Sequence, residues 1–354
     1  MSSALHSLVS ALPFQQLAAS SALSVSLVVV LLSLISMGFF SSRKPLEVKD
    51  KHCYIGGGSE GLGFSLAKQL AQRGAHVTIV SRSQSKLDKA LKEVETYRQS
   101  PSQVFQAHAC NLTDPSHAAS TLRLACKPFS SPSSSSPAAP DFIFACAGGS
   151  HPSYFLDASA QKHWDCMEWN FRTALNTIHE GVKAIKESGK ERCRVVLTGS
   201  VLSMMSFAGY SSYSPSKYAI RGLAEALRSE LLLYGISVHL FLPASIFSPG
   251  FEYEQSVKPA LTKKIEGPDE GVTPDKCAEE LIKGLERNDF YITYEPVGHM
   301  LRNSRGITPR NSSYLSDLFW GIAGTVGFPI WRWMSPEGEI RKEKRLAAAK
   351  QTLK

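Results

Sequence analysis

The chain has 354 residues, of which 43% are hydrophobic, and 39 Lys and Arg against 31 Asp and Glu give a formal net charge of +8. That is enough apolar material for one large domain or two small ones, while basic residues interspersed with acids exclude a nucleic-acid-binding stripe. Seven widely spaced cysteines with no Cys-x-x-Cys pair exclude a zinc site or a disulfide framework, and those in expected strands read as small apolar residues.

In chain order, residues 7–42 contain no Lys, Arg, Asp or Glu, and 22–40 is long enough to cross a bilayer as a helix. Positive charge follows this run (Arg43, Lys44, Lys49, Lys51) rather than preceding it. An uncleaved anchor is therefore expected in place of a cleaved signal peptide, with residues 1–21 lumenal and everything after Arg43 cytosolic.

A short strand at 52–55 runs into Gly56-Gly57-Gly58-Ser59-Glu60-Gly61-Leu62-Gly63, an apolar-periodic helix to 74 and a strand at 76–80. This strand–turn–helix–strand unit of about 30 residues is the setting a dinucleotide fingerprint requires. Gly57, Gly61 and Gly63 let the backbone approach a pyrophosphate, which the helix N-terminus attracts. The second strand ends in Ser81-Arg82 and offers no acid for a ribose hydroxyl. Arg82, with Lys86 one turn on, suits a 2′-phosphate, so NADPH is the expected cofactor.

A helix is expected over 86–98 and a third strand over 104–110, which places Asn111 for an adenine contact; Asp114 reads as the cap of a helix opening at Pro115. Residues 128–140 are low-complexity and read as a surface loop. A fourth strand at 141–145 closes in Cys146-Ala147-Gly148-Gly149, small enough to lie against the nicotinamide side of a cofactor. A helix over 164–186 carries Asn170, a fifth strand at 194–197 leads to Ser200, and a long helix over 216–233 contains Lys217. A sixth strand at 236–241 precedes the loop 243–250. The alternation of strand and helix implies an α/β fold, a Rossmann-type doubly wound parallel sheet covered on both faces.

The polar stretch 252–271 suits a lid on the substrate side, and a helix near 274–286 packs back on the domain. The charge-free segment 318–331 is short for a crossing and reads as a re-entrant or interfacial piece. Basic clusters at 43–51 and 341–350 suit an anionic membrane surface. The expected domains are thus the anchor at 22–40, a catalytic domain at 48–295, and a membrane-associated region with a basic tail at 296–354.

The chemistry concentrates in 198–217. Where Tyr213 opens a helix, Lys217 lies one turn later on the same face. The ammonium beside the phenol is expected to lower the tyrosine's pKa toward a working proton-transfer value. Ser200 is placed to hydrogen-bond the same substrate oxygen.

The glycine-rich turn, the Cys146–Gly149 strand end, Asn170, Ser200 and the Tyr213/Lys217 pair, in this order and spacing, resemble the short-chain dehydrogenase/reductase superfamily over about residues 51–294. More narrowly, the Gly-Gly-x-Ser-x-Gly-Leu-Gly turn, Ser81-Arg82-Ser83 with Lys86, the Ser248-Pro249-Gly250-Phe251 loop end and the apolar segments at both ends resemble its branch acting on keto-sphingoid bases. That resemblance implies NADPH at Gly57, Ser59, Glu60, Gly61, Arg82, Lys86 and Asn111. It also implies Ser200, Tyr213 and Lys217 as catalytic residues, with Asn170 completing a proton relay. The implied substrate is a long-chain keto-sphingoid base at the cytosolic face of the endoplasmic reticulum membrane, in contact with membrane lipid and no nucleic acid, the oligomeric state left open. The chain departs from the family pattern at Gly56 (usually Thr), Asn111 (Asp), Ala145 (Asn), Ala244 (Gly) and Phe247 (Thr). A membrane-bound steroid or retinoid reductase and a non-catalytic cofactor-binding scaffold are the alternative readings.

Overall fold

The computed structural model describes residues 45–130, 138–267 and 271–303, with single positions 325, 341, 345 and 348. The chain divides into two compact units, 1–45 and 46–354, and the strands and the helices that connect them all belong to the second. The expected anchor at 22–40 and the segment 318–331 lie outside the described residues. Among the described residues no helix is long and apolar enough to cross a membrane.

Seven parallel strands form one sheet in the order β3-β2-β1-β4-β5-β6-β7. They are β1 (His52–Gly56), β2 (His76–Ser81), β3 (Phe105–Ala109), β4 (Phe142–Ala145), β5 (Arg194–Thr198), β6 (Ser237–Phe241) and β7 (Tyr291–Ile292). The helices that connect them are α1 (Gly61–Gln72), α2 (Gln84–Glu95), α3 (Pro115–Cys126), α4 (Ala160–Met167), α5 (Thr173–Ser188), α6 (Tyr213–Glu230), α7 (Pro249–Val257), α8 (Ala260–Glu266), α9 (Pro274–Glu286) and α10 (Pro296–Asn303).

Side chains alternate across each strand, so neighbouring residues supply opposite cores. Ile143, Val195 and Leu197 face Ile178, Ile220 and Ala224 of α5 and α6. Phe142, Phe144 and Val196 face Leu66 and Leu70 of α1 and Leu281 of α9. The near-continuous burial of the central strands follows from this two-sided cover.

Helix starts fall where capping chemistry puts them. Asp114 accepts hydrogen bonds from Ser116 and His117 N–H with Pro115 in the first turn, as the sequence leads one to expect. Ser83 opens α2 and Thr273 opens α9 in the same way.

Four features differ from the sequence reading. The helix expected over 164–186 starts earlier, at Ala160, and is broken by a π turn at Glu168–Arg172. The polar lid is two short helices, α7 and α8. The helix carrying Lys217 opens at Tyr213 itself rather than at 216. A seventh strand is present, and its two residues are too few to show an alternation.

Candidate active site

The sheet order reverses between β1 and β4, and the crevice beyond the carboxyl ends of those strands is where an open α/β sheet holds its ligand. β1 leads into the glycine-rich turn there, hooked to β2 by Gly57 N–H donating to the Val80 carbonyl at 2.7 Å. Gly57 has φ +89°, and a Cβ on it would stand 2.5 Å from the Ala147 amide nitrogen. A Cβ on Gly63 would stand 2.2 Å from the Gly57 carbonyl oxygen, so α1 docks on the turn only without a side chain at that position. Glu60, the residue that starts α1, makes no side-chain cap, so the helix's first N–H groups are left for an anion.

Ser59 is half-buried in this turn and Gly61 opens the helix. Ser248, which caps α7, lies over Gly61: a Cβ there would be 3.5 Å from the Ser248 Cβ. At the rim, Arg82 is exposed beyond β2 with no ion pair among the described residues. Lys86 Nζ sits 2.8 Å from Glu60 Oε2, both side chains about half exposed, a pairing weak enough in water to yield to a stronger anion. Asn111 is exposed past β3, and its Oδ1 accepts from the Thr113 hydroxyl at 2.9 Å and the Thr113 N–H at 3.3 Å. The residues of the turn and rim fit a nicotinamide dinucleotide: uncapped helix N–H groups for the pyrophosphate and two cations, with no acid, beyond β2.

Across the switch point, β5 delivers Ser200. Its hydroxyl caps a short 3₁₀ turn by accepting from Leu202 N–H at 3.1 Å, while Ser200 N–H donates to Ser203 Oγ, so the side chain is held on both sides. Tyr213, in the first turn of α6, lies close enough to Ser200 for the serine hydroxyl to favour its phenolate. Lys217 is buried one turn along; its Nζ donates to the Thr198 carbonyl at 3.0 Å and stands 5.5 Å from the centre of the Tyr213 ring. Asn170, fully buried in the π turn, accepts from Gly149 N–H at 3.1 Å and donates to the carbonyls of Gly149 (2.8 Å) and Cys166 (2.9 Å). A Cβ on Gly148 would approach Asn170 Oδ1 to 2.5 Å and Lys217 Nζ to 3.5 Å. The structure therefore brings Ser200, Tyr213, Lys217 and Asn170 together around one strand end.

Two electrostatic expectations change. Burial pushes the Tyr213 phenol above its ordinary value, Glu254 adds to that push, and only the Ser200 hydrogen bond pulls the other way. Lys217 is not among the influences on that titration, because it loses its own proton well before the phenol does. Burial brings Lys217 down to about 8. Asn170, expected in a proton relay, has both amide protons on main-chain carbonyls and holds the 146–149 strand end in place.

The sequence reading missed the lid's contribution. Tyr210, whose ring centre is 5.9 Å from that of Tyr213, has its hydroxyl within hydrogen-bond reach of both Glu254 of α7 and Glu266 of α8, its one proton shared between them, and buried Lys258 pairs with both carboxylates. The only trace in sequence is the Glu254/Lys258 spacing of four, which on most helices marks a solvated pair.

Residues 51–256 match the family model for short chain dehydrogenases. The chain is 40% identical over 334 residues to a 3-ketodihydrosphingosine reductase of Cryptococcus neoformans, covering 92% of this chain and 97% of that one. It is 32% identical to a 3-ketodihydrosphingosine reductase of Aspergillus fumigatus over 78% of this chain and 79% of the other. Among solved structures it resembles a short-chain dehydrogenase from Sphingobium yanoikuyae in complex with NADPH, with a TM-score of 0.56 and 20% identity over 68% of this chain and 87% of the other.

Proposed function

The chain belongs to the short-chain dehydrogenase family, and from that premise we propose that it reduces the ketone of 3-ketodihydrosphingosine, a long-chain 2-amino-3-ketone, at the expense of NADPH. The observation that carries the reading is the meeting of Ser200, Tyr213 and Lys217 at the sheet's switch point, beside a glycine turn suited to a dinucleotide. The relatives' names supply the substrate, and the cations Arg82 and Lys86, beyond a strand end that offers no acid, support the phosphorylated cofactor.

The nicotinamide, when bound, supplies the hydride. The protein's part is to hold the ketone oxygen between the Ser200 and Tyr213 hydroxyls, where negative charge develops. Tyr213, kept protonated by its burial, then releases its proton to the developing alkoxide, a stronger base than a phenolate. Ser200 stabilises the phenolate that remains. Lys217, at about 8, is largely cationic at neutral pH and shares that task from the Thr198 side. Asn170 fixes the Gly149 backbone at the strand end beside it.

Membrane placement at the endoplasmic reticulum, with the catalytic domain cytosolic, belongs to the same proposal. The uncharged run at 22–40 with Arg43 and Lys44 after it supports this. So do Tyr253, Leu261 and Ile265 of the lid helices, all close to half exposed, as suits an entrance for a lipid chain. The test is an assay of the full chain purified in detergent. Sphinganine should form in step with NADPH loss, with kcat/KM for NADH at least about tenfold lower, a gap worth about 1.4 kcal/mol. Reduction of steroid or retinoid ketones with none of the sphingoid ketone would overturn the substrate.

A further inference from the structure

The charge cluster under the lid does not balance. Glu254 and Glu266 share one ammonium, that of Lys258, whose side chain is 1% exposed, and one neutral phenol, that of Tyr210. Glu266 uses both oxygens, Oε1 toward Tyr210 at 2.6 Å and Oε2 toward Lys258 at 2.6 Å. Glu254 takes both its contacts on Oε1, from Tyr210 at 2.7 Å and Lys258 at 3.0 Å. Its Oε2 has no partner among the described residues, although the side chain is only 19% exposed. An ionised carboxylate in such a place wants a cation.

Among the described residues no further cation is placed to supply it. Lys217 is held on the Thr198 carbonyl. His151, whose Nδ1 meets the Tyr253 hydroxyl at 2.8 Å, has its pKa lowered by burial and by the nearby Lys162 charge. Yet Glu254 stands one ring away from the reaction centre: its Oε1 holds the Tyr210 hydroxyl at 2.7 Å, and the Tyr210 ring centre is 5.9 Å from that of Tyr213. In a 2-amino ketone the nitrogen is two bonds from the carbonyl carbon, about 2.5 Å away by ordinary bond lengths and angles. A ketone held by Ser200 and Tyr213 therefore carries its ammonium within a few ångströms of those hydroxyls.

We propose that Glu254 receives the substrate's ammonium on its Oε2 and so selects α-amino ketones over neutral long-chain ketones. The proposal rests on the sphingoid substrate reading and adds the residue that enforces it. The bound ammonium has a second effect: it offsets the field of Glu254 at Tyr213, so the phenol gives up its proton most readily when the right substrate is present.

The experiment compares kcat/KM for 3-ketodihydrosphingosine and for the same ketone with hydrogen in place of the amine, in the full-length protein. The intact enzyme should favour the amino ketone. Glu254→Gln should reduce that preference by about tenfold or more, as expected for a lost hydrogen bond to a charged group, chiefly through KM of the amino ketone. Glu254→Asp, which keeps the charge and guards against a folding failure of the amide variant, should retain most of the preference. Equal losses for both ketones in the Gln and Asp variants, or no preference in the intact enzyme, would overturn the role of Glu254 alone. Failure of the intact enzyme to reduce either ketone would overturn the substrate reading as well.

Discussion

The Tyr213 hydroxyl sits between Ser200, whose hydrogen bond favours its anion, and burial together with Glu254, which oppose it. Such a group keeps its proton at neutral pH, though more tightly than a free phenol does, so the proton that reduction of a ketone needs is in place. Replacing it by phenylalanine removes the phenol proton beside Ser200 while leaving the ring's packing against Tyr210. Tyr213→Phe should therefore cut kcat by about 10²–10⁴-fold with NADPH affinity unchanged, measured by turnover and by quenching of cofactor fluorescence. Retained turnover would remove Tyr213 from the mechanism. Ser200, Tyr213 and Lys217 are legible in the sequence because a spacing of four puts two side chains on one helix face and the serine follows a strand end. The direction of the phenol's shift is not, because it depends on Glu254, some forty residues away in a segment that reads only as polar. Nor does spacing reveal that the lysine's ammonium settles on a carbonyl rather than on the phenol.

At the scale of elements, the dinucleotide turn shows how a local rule becomes a packing constraint. The glycine pattern announces a tight approach, and the structure says of what to what: α1 rests on the carbonyl of Gly57, with no room for a Cβ at Gly63. Gly63→Ala should displace the first turn of α1, destabilise the domain by about 1–3 kcal/mol and abolish NADPH binding. Urea unfolding and a cofactor titration measure the two effects. A variant that binds NADPH normally would show that the close approach is not needed for the site. Periodicity and caps reveal six of the seven strands and the starts of α3 and α9, because alternation and residues such as Asp114 and Pro115 act locally. The π turn is invisible to that reading: its cause is tertiary, a buried amide at Asn170 bonded to a strand end twenty-one residues upstream. β7 escapes for the opposite reason, since two residues define a strand only by pairing with β6.

For the whole molecule, the two-sided sheet buries ionisable groups along with its apolar ones, which ties stability to pH. His52 on β1 is brought down to about 3, by burial first and by the charges of Lys190 and His76 after it. Burial likewise brings His239 on β6 down to about 4. Each uses one ring nitrogen, His52 toward the Thr78 hydroxyl and His239 toward the Asp289 carbonyl. The other nitrogen, His52 Nδ1 or His239 Nε2, is buried without a partner among the described residues. A second proton on either ring would be a buried charge with nothing to receive it. The unfolded chain takes these protons near pH 6.5 and the folded chain only near 3 to 4, so the unfolded state binds more protons throughout that interval. Stability is therefore full above about 6.5 and falls as pH drops, with a slope approaching about 1.4 kcal/mol per pH unit for each histidine. His76, His108, His151 and His299 are lowered as well and act in the same direction. The interval between pH 6.5 and 5 lies above the ordinary carboxylate range, so the histidines dominate the change. The urea midpoint of the detergent-solubilised protein should fall steadily across it. His239→Asn removes one titrating group from a site that can keep a hydrogen bond to the Asp289 carbonyl, and should flatten the fall by up to about 1.4 kcal/mol per unit. A midpoint that does not change between pH 6.5 and 5 would mean that these rings meet water in the folded protein and that β1 and β6 are not sealed by the helices covering them.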